Sequence, residues 1–226
     1  METEVKLGFK NKESLYKVIS SASFRKLCSD EGLIEPVLLE NSYFDTPDMK
    51  ITSRGGMIRS RHFFADDKEV FEFTVKYGGS VTEGLHKRLE WNVRSDDGNF
   101  RIADFKAKAI TQNAEGDSSE ALDELFEGIT DDGLSVICSN SFSRAVYHLA
   151  YQGTAVEACF DSGIICNSDG SKTDEICELE LELIEGDMFG LAYITGFITD
   201  ENECAPLEKT KYSRTLNMAM GYGNEE

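Results

Sequence analysis

The sequence predicts an antiparallel β-barrel or strongly curved sheet with helices outside it. Roughly eight segments read as strands, with turn residues between them. No helix lies between every pair of strands, which argues against a doubly wound parallel sheet. Several strands carry charge on one face and apolar residues on the other, and each apolar face needs a cover. The 226 residues contain no fixed-period repeat and no Pro- or Gly/Ser-rich linker, so a single domain over 1–226 is expected.

The elements follow in order. Residues 2–9 alternate charged and apolar and read as a strand with one polar face. In 11–28, Leu15, Val18, Ile19, Ala22 and Leu27 fall at helical spacing. They predict one amphipathic helix, with Asn11 as its N-cap. A strand over 37–45 ends in the turn Asp45-Thr46-Pro47-Asp48. Strands follow at 56–64, 69–77 and 84–94, joined by short links holding Asp66-Asp67 and Gly78-Gly79, as hairpins require. Helices are expected at 102–111 and 118–127, with a polar loop over 112–119. Strands resume at 141–151, 155–165 and 174–185, and helices at 187–200 and 207–220.

Bulk composition narrows the function. A hydrophobic fraction of 40% is enough for a packed core, so the chain is not disordered. The net charge of −19 disfavours nucleic acid and anionic membranes as partners. A small anion remains possible where basic residues gather, and an acidic protein can gather divalent cations. The six cysteines form no CxxC pair, so zinc-type ligand spacing is absent. The charged N-terminus has no signal-peptide character, and no run of about 18 apolar residues offers a membrane span. A cytoplasmic protein with reduced thiols is expected.

Alternation places each strand's charges on one face. Glu2, Glu4 and Lys6 share a face, as do Arg59 and Arg61. Glu72, Thr74 and Lys76 oppose Phe71, Phe73 and Val75. Arg88, Glu90 and Asn92 oppose Leu89, Trp91 and Val93. Glu157 shares a face with Asp161, and Glu178, Glu180 and Glu182 oppose Leu179, Leu181 and Leu183. One such face alone usually meets water. Together they suggest that the apolar faces pack under helices while the charged faces point into the barrel. Charges there are costly unless paired or bound to ions. Three carboxylates in line repel one another, and a divalent cation removes that conflict. A row of Arg and Lys opposite would hold an anion with several oxygens. His62, His86 and His148 stand at no ligand spacing and read as structural. Trp91 is expected to pack under a helix.

These residues also match a known pattern. The ExExK of Glu2-Thr3-Glu4-Val5-Lys6 is followed by Tyr43-Phe44-Asp45-Thr46-Pro47-Asp48, Arg59-Ser60-Arg61 and Thr74-Val75-Lys76. The acidic strand over 178–182 and the KxxR of Lys211 and Arg214 complete the set. The chain resembles the CYTH superfamily, the triphosphate tunnel metalloenzymes. Two stretches, 81–88 and 176–183, look most like the bacterial inorganic triphosphatase branch. The resemblance implies an α+β fold: an eight-stranded antiparallel closed β-barrel, or tunnel, with helices packed outside. It also implies Mg2+ or Mn2+ and triphosphate-containing substrates. Asn92 departs from the pattern, since many members carry a further Glu there.

On this basis Glu2, Glu4, Glu178, Glu180 and Glu182 are expected among the metal ligands, with Glu90, Glu157 and Asp161 beside them. Lys6, Arg59, Arg61, Lys76, Arg88, Arg144 and Lys211 are expected to bind phosphate oxygens. Glu2, Glu4, Lys6 and Lys76 form the expected catalytic set. Tyr43 is either a group near the attacking water or a packed turn aromatic. The expected reaction is metal-dependent hydrolysis of inorganic triphosphate to diphosphate and phosphate. Three alternatives stay open: a class IV-type adenylate cyclase, a thiamine or nucleoside triphosphatase, and a non-catalytic polyphosphate-binding module. Monomer and homodimer are not distinguished.

Overall fold

The computed structural model describes residues 1–95, 97–112, 118–167 and 169–221. Its frame is one closed antiparallel barrel of eight strands: β1 (Glu2–Gly8), β2 (Val37–Asp45), β3 (Gly56–Ala65), β4 (Lys68–Thr82), β5 (Leu85–Ser95), β6 (Ser135–Tyr151), β7 (Thr154–Cys166) and β8 (Thr173–Glu185). Going round the wall, the order is β5-β4-β3-β2-β6-β7-β8-β1, and a β1–β5 pairing closes the ring. A two-residue β9 (Ala205–Pro206) pairs with Leu7 and Gly8, beyond the end of β5.

Two-residue loops set three of the hairpins. Asp66-Asp67, Glu83-Gly84 and Gln152-Gly153 all have positive φ at both positions, the backbone that matches strand twist. The expected hairpin turn at Gly78-Gly79 is corrected: β4 runs on to Thr82, and these glycines form a bulge between Tyr77 and Ser80. A Cβ at Gly79 would come within 2.0 Å of the Lys87 carbonyl, so the chain needs glycine there for close backbone approach rather than for reversal.

The single helix expected over 11–28 is also corrected. It is α1 (Lys12–Lys17), a 3₁₀ turn, then α2 (Ala22–Leu27). Ser21 is extended and caps α2 by accepting from the Phe24 amide, which forces a new helix start; Asn11 caps α1. The remaining helices are α3 (Lys50–Ser53), α4 (Ile102–Gln112), α5 (Ser118–Leu125), α6 (Met188–Thr199) and α7 (Lys211–Ala219). The central residues of the loop expected over 112–119, residues 113–117, lie outside the described residues.

Helices cover the barrel's apolar outer faces in two groups. Leu15, Phe24, Leu191, Ile194 and Ile198 pack with Tyr147, Phe160, Leu179 and Leu181 on one side. On the other, Phe105, Leu122, Leu125 and Phe126 pack with Ile58, Phe73, Val75 and Trp91, so Trp91 lies under helices as expected. With both outer faces apolar and covered, the alternate side chains must point inward. The α7 helix behaves differently. Its Thr215, Leu216 and Met218 meet interior residues of β2, β6 and β7, so it lies across one end of the barrel rather than outside it. All six cysteines are unpaired. Among the described residues, no helix is long and apolar enough to cross a membrane.

Candidate active site

The barrel interior holds a charged cavity of about 240 Å³. All seven basic residues expected to bind phosphate line it: Lys6, Arg59, Arg61, Lys76, Arg88, Arg144 and Lys211. Of the eight carboxylates expected at the metal, Glu2, Glu4, Glu90, Glu157, Glu180 and Glu182 line it, whereas Asp161 and Glu178 stand behind it.

Strand register explains the acidic wall. Glu4 on β1 is directly opposite Glu182 on β8, and Glu182 is directly opposite Glu157 on β7. Three carboxylates thus stand in one row across three strands, an arrangement that destabilises an antiparallel sheet unless it is compensated. Compensation is uneven along the row. Burial pulls the Glu4 carboxyl upward, but Lys6, with its ammonium at 2.9 Å, and Arg88 at 3.2 Å overturn this and hold it down at about 2. Glu182 forms no ion pair with Lys or Arg among the described residues. Burial, followed by repulsion from Glu90 and Glu4, pushes its carboxyl up to about 7. Glu2 is also raised to about 7 by burial and by Glu4 and Glu90, although the Lys76 ammonium lies 2.7 Å away. That same ammonium is 2.6 Å from Glu90, whose carboxyl it keeps low against the pull of burial. Among the described residues, no three His, Cys, Asp or Glu side chains converge in an arrangement ready to hold a metal ion, and Glu2, Glu4, Glu90 and Glu180 are turned toward Lys instead.

The opposite wall has the reverse imbalance. Arg59 and Arg61 project from β3 into the cavity, and neither has a carboxylate partner among the described residues. Arg59 donates to Thr74 Oγ1 at 2.8 Å, and its Nε is buried without an acceptor. Arg61 donates through Nε to Asn41 Oδ1 at 3.0 Å. Burial, then Arg59 and Arg144 nearby, pulls the Arg61 guanidinium down to about 9. Arg61, Arg144 and Lys211 all lie against the ring of Phe142, at 6.0, 5.7 and 5.2 Å. The electron-rich face of that ring is a neutral support for clustered cations.

The α7 end is fully paired. The Lys211 ammonium meets Asp161 and Glu178 at 2.7 Å and Glu180 at 2.8 Å. Arg144 forks onto Asp161 at 2.7 and 2.6 Å and also reaches Glu180, which Lys6 bonds as well. Arg214 bonds Glu178 and, at 2.7 Å, Asp174. Burial disfavours the charged Lys211, yet its three carboxylates outweigh this and raise its pKa well above the usual value. Asp161 and Glu178 therefore act here as anchors for cations. Glu180 has both oxygens taken, and Glu157 sits at the rim, 4.0 Å from His148.

Tyr212 in the cavity lining, and Asn41, Asn140 and Thr215 behind it, were not singled out from the sequence. Tyr212 packs on Tyr43 with ring centroids 5.0 Å apart and hydrogen-bonds Thr52 Oγ1, which donates to Asp45 Oδ2 at 2.6 Å. The turn Asp45-Thr46-Pro47-Asp48 thus anchors α7. Tyr43 is a packed aromatic that also borders the cavity. Asn41, Asn140 and Thr215 form buried hydrogen bonds, and period-two reading of Leu39-Asn41-Tyr43 and Asn140-Phe142-Arg144 was the signal available for the two asparagines. Asn92, the departure from the motif, accepts from Thr74 at 2.6 Å and donates to Glu90 at 2.7 Å. The histidines stand apart from the cavity lining. His62 bridges Glu40 and Glu69, His148 meets Asp30, and buried His86 bonds the Leu207 carbonyl at 3.0 Å.

Comparison with known proteins agrees with this architecture. An inorganic triphosphatase from Haemophilus influenzae is 29% identical over 189 residues, which is 82% of this chain and 46% of that protein. The chain thus spans about half the length of that curated relative. A Hippeastrum protein, described as an adenylyl cyclase candidate with a dominant triphosphatase activity, superposes with a TM-score of 0.65 at 18% identity, covering 97% of both chains. A Bacillus halodurans protein described as a candidate adenylate cyclase gives 0.52 at 21% identity, over 95% of this chain and 96% of that one. Both share the fold. The CYTH domain family matches residues 2–215, and the chain belongs to that family.

Proposed function

We propose that this protein hydrolyses inorganic triphosphate, releasing phosphate and diphosphate, with Mg2+ or Mn2+ bound beside the substrate. One observation carries the reading. The basic wall holds the buried Arg61 and half-buried Arg59 guanidiniums without a counter-anion among the described residues, and the facing acidic wall holds Glu182 without a cation. Each wall lacks an ion of the sign opposite to its own, and a metal–polyphosphate complex supplies both. The name of the Haemophilus influenzae relative points the same way.

The carboxylates fit a hard divalent cation by donor chemistry. Glu2, Glu4, Glu90 and Glu182 would hold it, with Glu157 at the rim. Glu180, held by Lys6, Lys211 and Arg144, would join them only as those cations turned onto phosphate oxygens. The metal would neutralise phosphate charge and supply an activated water. Arg59, Arg61 and Arg144 would hold the chain's oxygens and orient the terminal phosphorus. Lys6 and Lys76, now on Glu4 and Glu2, would shift toward the phosphates as those carboxylates take up the metal. Water adds to the terminal phosphorus, the bridging P–O bond breaks, diphosphate leaves with the electron pair, and one proton is released.

A second reading has its own observation. An adjoining pocket of about 440 Å³ is lined by Val37, Leu39, Phe63 and Phe64 beside Arg61 and Arg144. That apolar vestibule would suit the organic part of a thiamine or nucleoside triphosphate. Phosphate release from inorganic triphosphate, ATP and thiamine triphosphate separates the readings, with cyclic AMP followed in the ATP reaction. Fastest cleavage of the inorganic substrate supports the proposal. Preference for an organic triphosphate, or cyclic AMP formation, overturns it, and binding without turnover moves the protein to a non-catalytic module.

A further inference from the structure

Arg61 is oriented by a chain of neutral side chains that leads to α7. Thr215 Oγ1 donates to the Lys211 carbonyl at 2.7 Å and accepts from Asn140 Nδ2 at 2.8 Å. Asn140 Oδ1 accepts from Asn41 Nδ2 at 3.0 Å, and Asn41 Oδ1 accepts from Arg61 Nε at 3.0 Å. Strand register builds this ladder, since Asn41 is the direct partner of Asn140 on β6 and of Arg61 on β3. Asn41 and Thr215 are each 2% exposed, Asn140 8% and Arg61 9%.

The ends of the chain fix its direction. A guanidinium can only donate and a backbone carbonyl can only accept, so each amide between them has one permitted orientation. Burial makes the reversed arrangement costly, because it would leave donors facing donors. A carboxylate in place of Asn41 would also hold Arg61, but it would cancel the charge. The amide orients the guanidinium and leaves its charge available.

We infer that Asn41, Asn140 and Thr215 are positioning residues: they aim an un-neutralised Arg61 at the phosphate chain and tie its aim to the seating of α7. The inference rests on the proposed triphosphate site and deepens it. None of the three need touch the substrate.

The test is affinity for inorganic tripolyphosphate by calorimetry in EDTA, for wild type, Arg61→Ala, Asn41→Ala and the double variant, with kcat and KM taken in Mg2+. Asn41→Ala is expected to weaken binding and raise KM about ten-fold with kcat nearly retained, the pattern of a lost binding contact. In the Arg61→Ala background the second change should cost nothing further. Thr215→Val keeps volume and packing at the far end of the ladder and guards against misfolding. It should weaken binding about two- to three-fold, and only when Arg61 is present. Losses that add, or wild-type affinity in Asn41→Ala while Arg61→Ala is impaired, would overturn the ladder and leave the site standing. Wild-type affinity in Arg61→Ala would remove the phosphate role of Arg61 itself, and the ladder with it.

Discussion

Glu4 and Glu182 face each other directly across β1 and β8, yet their carboxyls are driven in opposite directions, to about 2 and about 7. Lys6 and Arg88 attend the first, and burial beside other carboxylates governs the second. The pair separates the part of the tunnel that is compensated by the protein from the part that is not.

Glu182→Gln should therefore make the metal-free protein slightly more stable, by about 0.2–1 kcal/mol, because a directly opposed like-charge pair is removed. The same change should abolish the rise in melting temperature on adding Mn2+ and cut turnover strongly. Melting curves with Mn2+ and with EDTA, alongside rates, read both effects.

Arg61→Ala should cost about 1.5–3 kcal/mol of triphosphate affinity, the range for hydrogen bonds to charged groups. Its stability in urea should fall much less, since a buried guanidinium without a counter-anion adds little to folding. A loss of stability as large as the loss of affinity would mark Arg61 as structural.

Asp45→Ala should behave in the opposite way. Asp45 is completely buried and accepts from the amides of Thr46, Ile51 and Thr52 and from the Thr52 hydroxyl. Removing that acceptor leaves buried donors unpaired and is expected to cost about 2–4 kcal/mol in urea unfolding. Binding should suffer only through the loosened seat of Tyr212 and α7.

His86 gives a pH signature. Burial, the largest influence, lowers its pKa below the ordinary value, so the native state favours the neutral ring. The unfolded chain then takes up the proton first, near pH 6.5. The stabilisation from His86 is complete above that pH and is lost as pH falls from there toward the lowered native value. Glu2 and Glu182, raised to about 7, act in the opposite sense as acid is added, so the His86 contribution must be read as a difference. Stability of wild type minus that of His86→Gln should shrink as pH drops from 7 to 5; a constant difference would contradict the assignment.

The legible parts of this molecule are those where one signal dominates. Arg59, Arg61, Lys76 and Glu90 could be placed on shared faces because charged or polar residues recur at every second position along their strands. Asn41 and Asn140 carry no charge, and the first half of β6, rich in Ser, Asn and Cys, lacks a contrasting pattern, so the strand's start was set too late. The bulge at Gly78-Gly79 looks like a turn in sequence, since glycine serves both purposes. The division of 11–28 depends on a single serine capping a second helix. That Lys211 and Arg214 enter the barrel end could not be read from helical spacing, and only the family resemblance put Lys211 among the expected phosphate-binding residues. The ion pairs that convert Asp161 and Glu178 from candidate ligands into anchors depend on where α7 docks.

The most direct test of the central claim is phosphorus NMR of inorganic triphosphate incubated with the protein in Mg2+ or Mn2+, and again in excess EDTA. The account predicts equal amounts of phosphate and diphosphate with either metal and no reaction in EDTA. Undiminished cleavage in EDTA would contradict the role given to Glu182 and its neighbours, and an intact triphosphate signal with metal present would contradict the hydrolase reading itself.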